Sequence, residues 1–283
     1  MLNMNLYQNQ GVAFLTQHGK EDLVRQPLQD RLGCRLMHTQ AYDTDRLGTF
    51  TGEIARHGSQ LDAAREKAKI GMALTQTRIG LASEGAFGAD PFGGWMPWNT
   101  ELLLWVDEER QLEIKGIAQG PAQSLSRWIE ITDQLDKLAS EAQFPLHYLN
   151  LRPAHEDPQY MVKGLRDKAS LLQAFEQAKQ ASSNGLVLVE NDLRAFGNPT
   201  RQGVIRNALQ DLLRQLTSLC PQCASPGYWI AQRIPGLPCK ACAHPTQLPI
   251  AQRWRCPACQ HEAEESLLTR QGADPSLCDV CNP

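Results

Sequence analysis

Four Cys-x-x-Cys pairs near the end of the sequence constrain its fold more than any other feature. The sequence has 283 residues and nine cysteines, and eight of these form the pairs Cys220/Cys223, Cys239/Cys242, Cys256/Cys259 and Cys278/Cys281. Zinc takes four tetrahedral ligands, and two such pairs about 15 to 20 residues apart commonly supply them. The pattern therefore predicts two zinc ions, each structural because four thiolates leave no open coordination position.

The spacing of the pairs indicates how they share the ions. The gaps are 15, 13 and 18 residues, which favours the first pair with the second and the third with the fourth, as tandem ribbons. A crossed arrangement, first with third and second with fourth, stays open. Zinc binding contributes about 10 to 16 kcal/mol in small modules, so we expect this segment to need metal to fold. The ninth cysteine, Cys34, is predicted to be a small buried apolar residue.

Upstream of the cysteines, strand-like and helix-like stretches alternate. Strands are predicted at 11–18, 34–42, 79–83, 101–109, 111–119, 144–153 and 185–192. Helices are predicted from Leu61, from about Ser124 with Trp128 and Ile131 in its buried stripe, over 165–182, and after Asn198-Pro199. This order predicts an α/β domain over 1–218, with a mixed central sheet flanked by helices, and a small tandem zinc-ribbon domain over 219–283.

The charge and hydropathy of the sequence exclude some classes of partner. The formal net charge is -3, which argues against non-specific duplex binding, since that depends on neutralising many phosphates. No apolar run approaches the roughly 20 residues of a membrane span, and the start MLNMNLYQNQ lacks the features of a signal peptide. We therefore expect a cytoplasmic protein with no membrane partner.

Two polar clusters in the first hundred residues are candidates for binding phosphate or a cation. TQHGKED (16–22) places Thr16, His18 and Lys20 at a strand-turn-helix corner, which suits an anion but is also typical of a plain surface turn. Pro27 predicts that the following helix is short, kinked, or begins there. DTDRLGTFTGEIAR (43–56) contains Asp45 and Glu53, which fit either a divalent cation site or a solvated acidic loop.

Two further stretches carry isolated charges. LASEGAFGADPFGG (81–94) places Glu84 directly after a short strand, at a bend whose glycines either let a ligand approach or simply turn the chain. ENDLRAFGNPTR (190–201) places Arg194 and Arg201 near the start of the last helix, where the helix dipole disfavours cations. An anion between the two arginines would relieve that conflict, and so would pairing of Arg201 with Asp192 or Glu190.

These residues resemble two families. The whole sequence, with DTDRLGTFTGEIAR, LASEGAFG, NPTR and the four cysteine pairs, resembles an uncharacterised bacterial family with a domain of unknown function, which implies no activity. Residues 11–90 distantly resemble the inosine triphosphate pyrophosphatase family: Thr16 to Lys20 match its first motif in outline, Gly48 to Glu53 with Ala64 to Ala68 its second, and Glu84 stands where that family has two acidic residues. This resemblance implies a mixed α/β fold with a cleft, magnesium, and a phosphate-containing substrate.

The leading hypothesis is a magnesium-dependent hydrolase of a nucleotide or related phosphate compound with a structural zinc-ribbon tail. Lys20 and Arg201 would hold phosphate, while Glu53 and Glu84 would hold the cation, with one of them or Asp45 orienting water.

The alternative is a binding protein whose tail contacts nucleic acid or a protein without catalysis. Basic and aromatic residues of the tail would form that face: Arg233, Lys240, Arg253, Arg255, Tyr228, Trp229 and Trp254. The aromatic residues would otherwise cover the small zinc cores. The sequence does not fix the oligomeric state.

Overall fold

The computed structural model describes residues 6–44, 58–154, 160–268 and 272–283. Within them the α-helices are α1 Glu21–Leu32, α2 Gln60–Thr75, α3 Thr132–Glu141, α4 Lys168–Ala181 and α5 Pro199–Thr217. The strands are β1 Gly11–Leu15, β2 Arg35–Thr39, β3 Ile79–Ala89, β4 Pro97–Asp107, β5 Leu112–Pro121, β6 Ser126–Ile129, β7 Leu149–Pro153, β8 Val162–Leu165, β9 Val187–Asn191, β10 Trp229–Pro235, β11 Pro249–Arg255 and β12 Glu262–Ser266. The chain divides into two compact units, Met1–Leu212 and Leu213–Pro283.

The first sheet is mixed and has the strand order β2-β1-β3-β4-β5. β1 pairs in parallel with both β2 and β3, while β3, β4 and β5 form antiparallel pairs. The small residues Ala64 and Ala68 of α2 pack with Ala13 and Ala82 of the sheet in one buried cluster. Gly116 of β5 lets α5 come close, because a Cβ there would lie 2.3 Å from the Ala208 carbonyl oxygen.

The second sheet of the first unit has the order β6-β9-β7-β8 and is antiparallel throughout. Its core joins the sheet to α3 and α4 through residues such as Leu135, Leu149, Phe175 and Val189, all with no exposed surface. The Asp167 side chain caps α4 by accepting a hydrogen bond from the Ser170 backbone N-H at 2.8 Å. The chain therefore has the predicted mixed α/β fold flanked by helices, but its first unit contains two sheets where the sequence indicated one.

The helix predicted from about Ser124 is wrong at its start. Residues Ser126–Ile129 form β6, which pairs with β9, and α3 begins only at Thr132. Of the four residues expected in the buried stripe, Trp128 and Ile131 are 45% and 49% exposed, whereas Leu135 and Leu138 are buried as predicted. Apolar residues at helical spacing misled the prediction because pairing with β9 determines the local structure.

Two other local expectations concern Pro27 and Cys34. α1 runs through Pro27, which lies inside the helix. Cys34 is buried as predicted, and burial raises the pKa of its thiol to about 11. Among the described residues, no helix is long and apolar enough to cross a membrane.

The second unit contains the antiparallel sheet β10-β11-β12 and the cysteine-rich turns. Trp229 pairs with Arg255, so the start of β10 lies beside the end of β11. Ala251 pairs with Ser266, so the end of β12 lies near the start of β11. This register decides which cysteine pairs meet.

Candidate functional sites: a charged cluster at β3 and two cysteine clusters

The carboxyl end of β1 is where the first sheet reverses its strand order. β1 lies between β2 and β3 and is parallel to both, and open α/β sheets bind ligands in the crevice outside such a switch point. Thr16 to Lys20 follow β1 directly, with Gly19 at φ 69° making the turn into α1. The topology therefore places the first predicted polar cluster where a ligand site is expected.

β3 continues past the end of β1 and presents two sets of side chains there. Its pairing with β1 ends at Leu81, while its pairing with β4 runs to Ala89. Ser83 contacts Lys20, and the Cβ position of Gly85 faces Arg201 of α5, whereas Glu84 between them contacts Lys67 of α2. The alternation of a strand thus divides the charged cluster between the two faces of the sheet.

Lys20 lies at the start of α1 and is buried, with 6% of its surface exposed. Its Nζ donates to the carbonyl oxygen and to the Oγ of Ser83, both at 3.2 Å. Burial, with further contributions from the cations Arg201 and Lys67, lowers the pKa of Lys20 to about 7. An amine in this environment changes its charge near neutral pH.

Glu84 forms an ion pair with Lys67, and both side chains are largely buried. The Gln60 side-chain amide donates to the Glu84 carbonyl oxygen at 2.8 Å, so α2 begins beside this strand. Ser59 caps α2 in a capping box with Asp62. The start of α2 is therefore fixed next to Glu84.

Arg201 and Glu101 form the second ion pair of the cluster and are 1% and 0% exposed. The Arg201 Nε donates to Glu101 Oε1 at 2.7 Å, and its Nη1 donates to the Leu193 carbonyl oxygen at 2.5 Å. The Asn99 amide also donates to Glu101, at 3.0 Å. Gly85 leaves room for this pair, since a Cβ there would lie 2.4 Å from both Arg201 Nη2 and Glu101 Oε1.

The β1-α1 turn also contacts the segment that precedes α5. A Cβ on Gly19 would lie 3.4 Å from the Phe196 Cβ, and the His18 and Phe196 rings are 6.4 Å apart. The Arg194 guanidinium lies 4.6 Å from the centre of the Phe196 ring. Arg194 is held by Asp192 through an ion pair at 2.6 Å.

The structure thus brings together several residues that the sequence singled out far apart. Lys20, Glu84 and Arg201 share the charged cluster, and Thr16, itself buried, lies one residue beyond β1. The Arg201 partner is Glu101, which corrects the alternative of Asp192 or Glu190; Asp192 pairs with Arg194 instead.

Two of the predicted site residues are not described by the structure, and three residues of the charged cluster were not predicted. Asp45 and Glu53 lie outside the described residues. Lys67, Ser83 and Glu101 were not predicted as site residues. The available signal for Glu101 was a charge at the start of the apolar strand ELLLWVD, since glutamate is rarely buried without a partner.

The bend expected directly after Ser83 is wrong in position. β3 runs to Ala89, and the turn begins at Asp90, whose carboxylate accepts hydrogen bonds from the backbone N-H groups of Phe92, Gly93 and Met96. Glu84 is therefore a mid-strand residue paired with Leu102. The turn that the glycines make lies further along the hairpin.

The eight cysteines of the tail form two four-cysteine clusters that could hold two metal ions such as zinc. The clusters are Cys220, Cys223, Cys256 and Cys259, and Cys239, Cys242, Cys278 and Cys281. Sulfur-to-sulfur distances across the pairs are 3.7, 3.6, 3.9 and 3.6 Å. Tetrahedral zinc with Zn-S bonds of about 2.3 Å separates its sulfurs by about 3.8 Å, so the thiolates fit this ion.

The crossed pairing overturns the sequential one that the spacing favoured. The first cysteine pair precedes β10 and the third follows β11, and the antiparallel register brings those ends together. The second pair follows β10, and the fourth lies beyond β12, towards the opposite end of the sheet, where Cys239 also bridges to Ala273. The spacing favoured the wrong arrangement because the register of the strands, and not the number of residues between the cysteine pairs, determines which pairs lie together.

The basic residues of the tail are mostly engaged with carboxylates. Arg253 pairs with Glu264 at 3.4 Å and Arg255 with Glu262 at 3.6 Å. Lys240 pairs with Asp274 at 2.7 Å, while Arg233 is exposed. Three of the four residues expected to contact nucleic-acid phosphates thus have acidic partners.

The aromatic residues of the tail contact one another beside the first cysteine cluster. Tyr228 stacks on Trp254 with ring centres 5.6 Å apart and on His261 at 5.9 Å, and Trp229 packs edge-on against Trp254. All three aromatic residues named in the sequence are half-buried, which leaves them partly covered within the unit.

Comparisons with known proteins give one match. The family model Domain of unknown function (DUF6671) matches residues 67–283. No curated protein and no solved structure matches the chain, so the resemblance to inosine triphosphate pyrophosphatases is not supported. The matched region includes β3, α5 and both cysteine clusters, and spans most of the chain, which therefore belongs to the DUF6671 family.

Proposed function

We propose that the first unit is a magnesium-dependent hydrolase of a nucleotide or related phosphate compound, with its site at the charged cluster of β3. The observation that carries the proposal is the largely buried cluster that Lys20, Lys67, Glu84, Glu101 and Arg201 form among the described residues, outside the carboxyl end of β1. Buried charges are expensive unless they are paired, and groups with strongly shifted pKa values concentrate at functional sites.

Lys20 and Lys67 would contact the phosphate from the two faces of β3, on which they lie beside Ser83 and Glu84. Arg201 is fully buried and bonded to Glu101 and to the Leu193 carbonyl, so its role is to fix Glu101 rather than to reach a ligand. The Lys67 amine forms an ion pair with Glu84 in this structure. When the substrate binds, the Lys67 side chain would move to contact the phosphate. Arg194 would line the entrance with His18.

Glu84 would hold the magnesium ion together with Glu53 or Asp45. Glu53 stands a few residues before Ser59, and the helix that Ser59 caps begins beside Glu84. Carboxylate oxygens are the ligands that magnesium prefers, and the ion would neutralise charge on the phosphate oxygens. A carboxylate of this set would orient the water that attacks phosphorus while the bond to the leaving group breaks.

The test is phosphate or pyrophosphate release from a panel of nucleoside triphosphates, with and without Mg²⁺. Glu84→Gln is expected to lower kcat by at least about a hundredfold, the usual size of a lost acid-base or electrostatic group. Glu113→Gln is the matched control, since Glu113 is an exposed glutamate of β5 paired with Arg65. No release by the wild type, or equal rates for the two variants, would refute the proposal.

A second candidate function concerns the tail, which we propose binds a protein partner. Apolar side chains near the second cysteine cluster are exposed, namely Leu277 at 56% and Val280 at 58%. The carboxylate partners of Arg253, Arg255 and Lys240 disfavour nucleic acid as the ligand. A gel shift with single- and double-stranded nucleic acid at low salt, where phosphate contacts are strongest, distinguishes the two: a salt-sensitive shift would overturn the preference for protein.

A further inference from the structure

β12 is an edge strand whose residues are all exposed. Among the described residues it pairs with β11 and with no other strand, and each residue of Glu262–Ser266 is exposed. No other strand in the described ranges is exposed along its whole length. A sheet edge of this kind offers a row of backbone N-H and C=O groups to which another strand can pair.

The register of the sheet shows which backbone groups of β12 face outward. The Leu267 N-H donates to the Ile250 carbonyl oxygen at 2.7 Å, and the Cys256 N-H donates to the His261 carbonyl oxygen at 2.9 Å. Both contacts continue the β11-β12 pairing, so the odd-numbered residues of β12 turn their backbone groups towards β11. The even-numbered residues turn theirs towards the open edge: Glu262, Glu264 and Ser266.

The opposite edge of the same sheet is less suited to accept a strand. The pairing of β10 with β11 contains two register irregularities, and β10 ends at Pro235. Bulges and prolines at a sheet edge hinder the addition of another strand. β12 pairs with β11 without an irregularity and contains no proline. It is therefore the regular edge of this sheet.

The side chains of β12 specify the charge of a strand that would fit beside it. Glu264 lies opposite Arg253 of β11 and forms an ion pair with it. Glu262 lies opposite Arg255 and pairs with it in the same way. A strand added at the open edge would lie about 4.8 Å from β12, with its side chains directly beside these carboxylates. Opposite charges in such cross-strand positions stabilise a sheet and like charges destabilise it, so lysine or arginine at alternate positions fits this edge.

We propose that the tail binds a basic, extended segment of a partner protein by adding it to β12 as a fourth strand. Backbone hydrogen bonds along the edge supply affinity, and the alternating cations supply specificity. The inference rests on the proposed binding of a protein by the tail, for which it names the surface and the chemistry of the partner. It does not depend on the charged cluster at β3.

The experiment titrates the zinc-loaded, full-length protein with the peptide Lys-Val-Lys-Val-Lys-Val-Lys, its termini capped. The matched control peptide has glutamate in place of each lysine and should not bind. In the complex with the lysine peptide, amide exchange measured by nuclear magnetic resonance should slow at Glu262, Glu264 and Ser266. It should stay unchanged at Ala263 and Glu265, whose N-H groups face β11. A peptide held by charge alone would not produce this alternation.

Two substitutions separate backbone pairing from charge. Ser266→Pro removes an outward N-H without changing any charge, and proline is tolerated where the N-H of an edge strand faces solvent. It should weaken binding of the lysine peptide about fivefold, the size of one lost hydrogen bond, whereas the control Ser266→Ala should bind as the wild type. Glu264→Gln should weaken binding about two- to fivefold, as expected for one cross-strand charge pair. If Ser266→Pro loses its zinc, the exchange pattern of the wild type decides the question alone.

Several results would overturn the inference. They are no binding of the lysine peptide, equal binding of the glutamate peptide, and slowed exchange at all five residues of β12 alike. Self-association in sedimentation that Ser266→Pro abolishes would also overturn it, because the occupant of the edge would then be a second copy of the chain. If the lysine peptide does not bind and the gel shift with nucleic acid is also absent, protein binding by the tail survives at another surface. A salt-sensitive gel shift without peptide binding overturns both.

Discussion

The crossed arrangement of the cysteine clusters predicts which pairs of cysteines can be removed together without losing both metal ions. Cys223 and Cys259 belong to the same cluster, whereas Cys223 and Cys242 belong to different ones. All three are exposed, so serine in their place disturbs little packing. The variant Cys223→Ser/Cys259→Ser should keep one complete four-thiolate site, and Cys223→Ser/Cys242→Ser should keep none.

The size of the effect follows from the ligand count. A complete structural site contributes about 10 to 16 kcal/mol of zinc binding, and it survives a moderate chelator that strips sites with missing thiolates. After such treatment, mass spectrometry of the metal content should give two ions for the wild type, one for Cys223→Ser/Cys259→Ser and none for Cys223→Ser/Cys242→Ser. The opposite order for the two variants would establish sequential pairing and refute the register-based reasoning.

Three further predictions concern the charged cluster. Gly85→Ala should destabilise the protein by about 1 to 3 kcal/mol, because its Cβ would lie 2.4 Å from Arg201 and Glu101. Gly88→Ala is the control and should change the urea midpoint little, since its Cβ would meet no atom of the described residues within 4 Å. Equal effects of the two substitutions would contradict the close approach at Gly85. Glu101→Gln should cost about 3 to 5 kcal/mol because it removes the carboxylate that forms an ion pair with the buried Arg201. A loss below about 1 kcal/mol in urea unfolding would count against this reasoning. Burial lowers the pKa of Lys20 from 10.5 to about 7 in the folded state. Between these two pH values the unfolded chain binds more protons than the folded one, so the free energy of unfolding of the wild type should rise with pH. The expected rise is up to about 1.4 kcal/mol per pH unit. Lys20→Met should lack this gain in thermal melts, and parallel stability profiles for the two proteins would exclude the shift.

Local patterns predicted those elements whose structure depends on nearby residues. α5 begins at Pro199, as the Asn198-Pro199 signal indicated, and its residues Val204, Ala208 and Leu212, at helical spacing, are buried. The cysteine spacing likewise predicted two four-cysteine sites. These features need only helix periodicity, helix-terminal residues or ligand count.

The features that sequence analysis missed depend on contacts between distant residues. Glu101 and Arg201 are far apart in sequence, and only the packing of α5 on β4 and β5 brings them together. Trp128 fitted a helical stripe, but its segment pairs with β9. The sequence predicted the position of Lys20 at a strand-turn-helix corner. The charges that act on it, Lys67, Glu84, Glu101 and Arg201, come from distant segments that only the fold brings together.

The two cysteine clusters use alternate Cys-x-x-Cys pairs along the chain. The first cluster closes a loop from Cys220 to Cys256, and Cys239, which belongs to the second cluster, lies inside that loop. Formation of one cluster therefore brings the cysteines of the other closer together. The second cluster then forms at a lower entropic cost, since loop closure costs less entropy when the ends are already near. The tail should acquire its two ions cooperatively, and newly made chains should hold neither firmly until Cys256 and its neighbours have been synthesised.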